Sequence, residues 1–259
     1  MSTPGEQVRL DVRDGRAEIV LDRPDRRNAL DVPTVELLRE HLGTLRESPG
    51  LRVVLLRSEG PSFCSGIDLK AVPADDSAPW LAAYFRAWLE VHVALAELPV
   101  PVVAVLHGAA VNAGAALALA ADLLVAEEDA LLQLGEIHQG LAAPIGIGWL
   151  ARRHTPALAR RIALVGDRIP AGELVRLGIA HDCVPPGQGL DGGRRLAETL
   201  AGHPVRGVTR MLAGCDAATG TGDARHYFGD LVRASGTHDE PSFAPPRLDT
   251  LAATPTGTE

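Results

Sequence analysis

Aromatic residues are scarce: Phe, Trp and Tyr together make up 3% of the 259 residues. A core without rings has to be filled with Ala, Val, Leu and Ile. At 46% hydrophobic residues the chain has enough of these for a sizeable interior of tightly packed small side chains, which excludes wholesale disorder. Lysine is scarcer still, since Lys70 alone among the 25 basic residues is not arginine. The net charge of −8 and the lack of a dense basic run argue against a nucleic-acid partner. Only three cysteines are present, Cys64, Cys183 and Cys215, with no C-x-x-C spacing. That excludes a disulfide framework and the usual zinc patterns, so no metal is expected. The first sixteen residues contain no apolar leader segment, and a cytoplasmic protein is expected. Long hydrophobic runs are also missing. The most apolar stretch, 108–126, is Ala-dominated and interrupted by Asn112 and Asp122, which suits a buried helix and not a membrane span.

Several generic catalytic motifs are absent: there is no G-x-S-x-G, no Walker loop and no H-E-x-x-H. A formal G-x-G-x-x-A falls on Gly146, Gly148 and Ala151. A dinucleotide fingerprint needs a strand directly before its first glycine, and Gly140-Leu-Ala-Ala-Pro144 does not form one, so the match is a coincidence of composition.

Alternation of apolar and polar residues over Val8–Val12 and Arg16–Leu21, around Asp14-Gly15, predicts paired strands. After a charged turn, Asp22–Asn28, Asp31 reads as the N-cap of a helix carrying Val35, Leu38, Leu42 and Leu45 on one face. Ser48-Pro49-Gly50 stops it. The apolar run Arg52–Arg57 predicts a strand buried on both faces. A second helix is marked by Trp80, Tyr84, Trp88, Val91 and Leu95, then strands by Val102–Leu106 and Leu123–Ala126 around a helix from Ala113 to Ala120. Helices over Ala157–Leu164 and Ala171–Leu177 follow. The order is that of an α/β domain with a mostly parallel sheet. Composition changes near residue 190, dividing an α/β core, 1–190, from a helical segment and loose polar tail, 191–259.

Two loops carry the functional signal. Ser62-Phe-Cys-Ser-Gly-Ile-Asp-Leu69 follows a strand, and His107-Gly-Ala-Ala-Val-Asn-Ala-Gly114 links a strand to a helix start. Facing each other, they could aim two backbone N–H donors at one oxygen, although either alone is equally an ordinary turn.

Taken together, four segments resemble the crotonase (enoyl-CoA hydratase/isomerase) superfamily. They are Leu21-Asp-Arg-Pro-Asp-Arg-Arg-Asn-Ala-Leu30, Phe63-Cys-Ser-Gly-Ile-Asp-Leu-Lys70, His107-Gly108 through Gly114 to Asp122, and Gly166-Asp-Arg-Ile-Pro-Ala171 with Gly178-Ile-Ala. The resemblance runs in order from about residue 8 to 190 and is loose over Tyr227–Phe243. It implies a fold of repeated ββα units and a C-terminal helical region that joins copies into a homotrimer or homohexamer. It also implies an acyl-CoA thioester as substrate, with coenzyme A entering only as part of that substrate. The thioester oxygen would sit between the N–H groups of Ile67 and Ala113, with Ser65 and Gly114 of the flanking loops as further substrate-binding residues.

Hydratases of this family resemble one another in carrying two glutamates. Here those positions fall on Ala116 and Glu136. One carboxylate suffices to move a double bond, and Leu134-Gly-Glu-Ile-His-Gln-Gly-Leu-Ala-Ala-Pro144 resembles the mitochondrial-type 3-enoyl-CoA to 2-enoyl-CoA isomerases more than the hydratases. Isomerisation is therefore expected, with hydration, decarboxylation or carbon–carbon bond formation as alternatives, and a non-catalytic acyl-CoA-binding protein as a rival. Departures from the pattern are Gly135 where such isomerases have Asn, and Asn112 and Ala115 in a loop that is usually glycine-rich. Apolar neighbours around Glu136 predict burial and a raised pKa, suiting a general base. His138 is either a second acid–base group, an acyl contact or a structural histidine. Arg26, Arg27 and Lys70 are candidates for the CoA phosphates, and Phe243 for a substrate contact. Asp68 reads as a loop-fixing carboxylate and Cys64 as packing.

Overall fold

The computed structural model describes residues 7–75 and 77–235. Its first elements are the antiparallel pair β1 (Val8–Arg13) and β2 (Arg16–Leu21), in register from Val8 opposite Leu21 to Arg13 opposite Arg16. A 3-10 turn, Pro24–Arg26, leads to α1 (Val32–Arg46), where Asp31 Oδ1 accepts the Thr34 N–H at 2.9 Å. That bond satisfies one of the free donors of the first turn, as expected of an N-cap. The chain continues through β3 (Val53–Ser58), α2 (Ser77–Ala96), β4 (Val102–Leu106), β5 (Ala109–Val111), α3 (Ala113–Leu119), β6 (Leu123–Glu127) and β7 (Leu131–Gln133). A second 3-10 turn, Glu136–Gln139, precedes α4 (Pro144–Arg153), α5 (Pro156–Val165), β8 (Ile169–Pro170), α6 (Ala171–Arg176) and β9 (Asp182–Val184). Three helices end the described chain: α7 (Gly189–Gly202), α8 (Val205–Thr219) and α9 (Ala224–Ala234).

Six strands form the main sheet in the order β1-β2-β3-β4-β6-β9, parallel except for β1 with β2. β5, β7 and β8 form a small second sheet. Successive strands thus divide between the sheets. β4 goes to the large one and β5 to the small one before α3; β6 and β7 repeat this before α4. This is an α/β fold of repeated ββα units with a C-terminal helical region.

Side chains alternate across a strand, and β3 shows why its sequence is apolar throughout. Val54 and Leu56 face the main core beneath α1 and α2, whereas Val53 and Leu55 join Val103 and Val105 under Leu190, Leu196, Ala197 and Leu200 of α7. The helix that starts where the composition changes is therefore packed on the sheet. α8 differs, since none of its side chains is buried and Met211 is 75% exposed.

The sequence reading needs two additions. Within 108–126 the expected helix and strand are α3 and β6, but Ala109–Val111 forms a further strand, β5. Residues 144–153, left without an element, form α4. Glycine is a poor helix former, yet Gly148 is required there by contacts the local sequence does not show. A Cβ on it would lie 2.7 Å from Leu231 and 2.9 Å from Phe228 of α9. No strand leads directly into Gly146, which lies inside α4, so the dinucleotide fingerprint has no structural counterpart. No described helix is long and apolar enough to cross a membrane.

Candidate active site

The two loops picked out from the sequence run side by side. Phe63 N–H donates to the His107 carbonyl, Cys64 N–H to Ala109 and Val111 N–H to Cys64, at 2.9–3.1 Å. The approach is close enough to demand glycine, because a Cβ on Gly114 would lie 2.2 Å from the Cys64 carbonyl oxygen. Gly66, at φ +94°, faces the second loop in turn, with its ideal Cβ position 3.0 Å from the Val111 oxygen and 3.7 Å from the Ala113 nitrogen. Ile67 follows Gly66, and Ala113 is the first residue of α3. Among the described residues neither Ile67 N–H nor Ala113 N–H donates a hydrogen bond. Two free donors from touching loops can serve an oxygen that a ligand brings.

A cavity of about 570 Å3 opens at this point, lined by Ser65, Ile67, Ala113, Ala116 and Glu136, with Tyr84 and Trp88 of α2 in its wall. Gly114 lies behind it, buried against the first loop. Glu136 begins the second 3-10 turn, and its Oε2 is buried with no hydrogen-bond partner. Burial pushes the pKa of this carboxyl up to about 7. A group so placed exists in both protonation states near neutrality and can accept and return a proton. Ala116 supplies no second carboxylate.

The loops are held by residues whose roles the sequence did not disclose. Asn112 has φ 52° and ψ −112°, a region favoured by glycine. Its N–H donates to the Gln133 carbonyl at 2.8 Å and its Oδ1 accepts the Gly135 N–H at 2.9 Å. It therefore straps the second loop to the segment bearing Glu136. Its signal was a non-glycine in a glycine-rich loop. Arg23 lies between two carboxylates, 3.0 Å from Asp31 and 3.2 Å from Asp68, and ties the start of α1 to the first loop. Asp68 also accepts the Lys70 N–H at 3.1 Å, the loop-fixing part expected of it.

Other candidates lie apart from the cavity. Arg26, Arg27 and Lys70 are exposed; the turn bearing the arginines adjoins the first loop, where Ser65 N–H donates to the Arg27 carbonyl at 3.1 Å. His138 is not among the residues lining the cavity. It is exposed, and its Nε2 lies 3.1 Å from the Gly166 carbonyl, which corrects the expectation of an acid–base or acyl contact within this chain. The backbone turns it outward, because consecutive residues of a 3-10 turn point to different sides. Phe243 lies outside the described residues. Cys64 is fully buried, with its thiol pushed up to about 12 by desolvation, and is no nucleophile. His92, buried beside Trp149 whose Nε1 donates to its Nδ1 at 2.8 Å, is pushed down to about 3 and stays neutral.

Comparison with known proteins bears on the fold. The family described as Enoyl-CoA hydratase/isomerase matches residues 11–221. A carnitinyl-CoA dehydratase of Proteus mirabilis is 34% identical, over 80% of this chain and 78% of its own. An (E)-benzylidenesuccinyl-CoA hydratase of Thauera aromatica is 33% identical, over 75% and 76% respectively. The crystal structure of an enoyl-CoA hydratase from Mycobacterium smegmatis superposes with a TM-score of 0.76 at 27% identity, covering 95% of both chains.

Proposed function

The chain belongs to the enoyl-CoA hydratase/isomerase family and is an acyl-CoA-acting enzyme of that family; from that premise we propose that it adds water reversibly to a 2-enoyl-CoA, through a thioester enolate, with Glu136 as its acid–base group. The observation that carries this reading is the pairing, in one cavity, of a carboxylate whose Oε2 is buried without a partner with two unpartnered N–H donors. The relatives' names for hydration and dehydration favour this direction of the chemistry over others.

Water attacks C3 while Glu136 takes one of its protons. The electron pair of the C2–C3 double bond moves onto the thioester oxygen, where the Ile67 and Ala113 N–H groups receive the developing charge. These donors gain strength as the charge builds, so they lower the barrier more than they aid binding. Glu136 then returns the proton to C2. Dehydration reverses these steps. Arg26, Arg27 and Lys70 suit the CoA phosphates, and α8, with no buried side chain, suits contact with further copies in a homotrimer or homohexamer.

A second reading is favoured by Ala116, which leaves the cavity with one carboxylate. In it Glu136 removes a proton from C2 of a 3-enoyl-CoA and returns it at C4, moving the double bond without water. Incubation with a 2-enoyl-CoA and separately with a 3-enoyl-CoA, followed by mass and chromatography, decides between them. Gain of one water on the first supports hydration; conversion of the second at constant mass supports isomerisation. Conversion unaffected by Glu136→Gln would overturn both.

A further inference from the structure

Among the described residues the cavity lining holds one carboxylate, Glu136, and one guanidinium, Arg86, beside the phenol of Tyr84, and the proposed reaction uses only Glu136. Arg86 stands on α2 in a stripe with Ala82, Phe85 and Leu89, spaced to share one helix face, and that face with Val232 of α9 makes the cavity wall. The oxyanion donors and Glu136 come from other elements.

An arginine on a helix can pair with a carboxylate one turn away. Glu90, four residues on, is that partner by position, but Arg225 of α9 takes both of its carboxylate oxygens. This pairing lowers the Glu90 pKa, so Glu90 is committed as an anion to α9. Among the described residues Arg86 has no hydrogen bond or ion pair, unlike Arg225 and Arg233 of α9, which pair with Glu90 and Asp230. The fold has thus withdrawn the local partner from the one cation at an otherwise apolar wall. A guanidinium there matches a planar anion through two parallel N–H bonds, and Arg86 is exposed, so its head is open to a ligand that enters the cavity.

We propose that Arg86 determines specificity by binding a carboxylate at the end of the acyl group remote from the thioester, so that the substrates are CoA monothioesters of dicarboxylic acids. This rests on the acyl-CoA reading of the cavity. It goes beyond that reading, which needs nothing of the acyl end.

Binding is measured by calorimetry with saturated thioesters, which need no turnover: adipyl-CoA against hexanoyl-CoA, suberyl-CoA against octanoyl-CoA, and free CoA. Wild type binds the better-fitting dicarboxylyl thioester about tenfold to a hundredfold more tightly than its neutral counterpart, the range of one hydrogen-bonded charge pair. Arg86→Gln abolishes that ratio, and Arg86→Glu reverses it. Equal wild-type affinities within each pair, or a ratio that survives Arg86→Gln, would overturn the proposal. So would an equal loss of affinity for free CoA in Arg86→Gln, which would assign the cation to a CoA phosphate. Failure of the acyl-CoA reading has a different signature: no thioester binds more tightly than free CoA, and the proposal falls with it.

Discussion

At the scale of single residues the account turns on Glu136 and on Asn112. General acid–base groups contribute about 10²–10⁴ in rate, so Glu136→Gln is expected to lower kcat/KM by that order while leaving the fold intact. The carboxylate is the form that takes a proton, so kcat/KM in the hydration direction rises with pH and levels off above about 7. A profile flat between pH 5.5 and 8.5, roughly the span a group near 7 would dominate, contradicts this. Stability has the opposite sign. The carboxyl binds its proton more tightly in the folded state, about 7 against 4.5 unfolded, so its contribution is full below 4.5 and lost as pH rises through 7. Glu136→Gln therefore melts above the wild type at pH 8, and the gain shrinks at pH 4.5, which paired melting curves will test. Asn112 acts through its neighbours. Asn112→Gly relaxes the backbone but frees the Gly135 N–H, so kcat is expected to fall about tenfold with the melting temperature held, and a fall in KM alone would argue against a positioning role.

At the scale of elements, α4 and α9 form a unit that closes the far side of the cavity. Phe228 is wholly buried, 4.9 Å from the Trp149 ring centroid, and packs against Gly148. Phe228→Ala is expected to cost about 3–5 kcal/mol, read by chemical denaturation, because the fixed helices cannot fill the space. This unit was also the least legible in the sequence. α1, α2, β3 and β4 announced themselves through period and caps, since each buries a face or a pair of faces along its own length. The helix containing Gly146 and Gly148 did not, because its glycines answer to contacts with Leu134 and with α9, remote in sequence. β5, β7, β8 and β9 have three residues or fewer, too short for an alternation to be distinguished from chance.

At the scale of the whole molecule, the site is an assembly of separated segments, and its legibility follows from that. Ile67, Ala113 and Glu136 are singled out through the family resemblance, whose motifs lie in short contiguous segments, whereas either loop alone reads as an ordinary turn. His138 shares the apolar neighbours of Glu136 but turns outward to Gly166, a direction set by the backbone of the turn and not by composition. Arg86 and Arg23 left no local mark, as their meaning lies in which carboxylates they meet or are denied. Assembly is a further expectation at this scale. Met211 is 75% exposed on a helix without buried side chains, and Met211→Glu is expected to shift light-scattering mass from trimer or hexamer towards monomer. An unchanged mass would place the contact elsewhere.

The central claim is that Glu136 moves a proton at C2 of a thioester whose oxygen is held by the two N–H donors. Its most direct measurement is isotope exchange in deuterium oxide with a 3-hydroxyacyl-CoA, following deuterium at C2 by mass spectrometry. The account predicts exchange by the wild type and its loss in Glu136→Gln; exchange at the wild-type rate in that variant would contradict it.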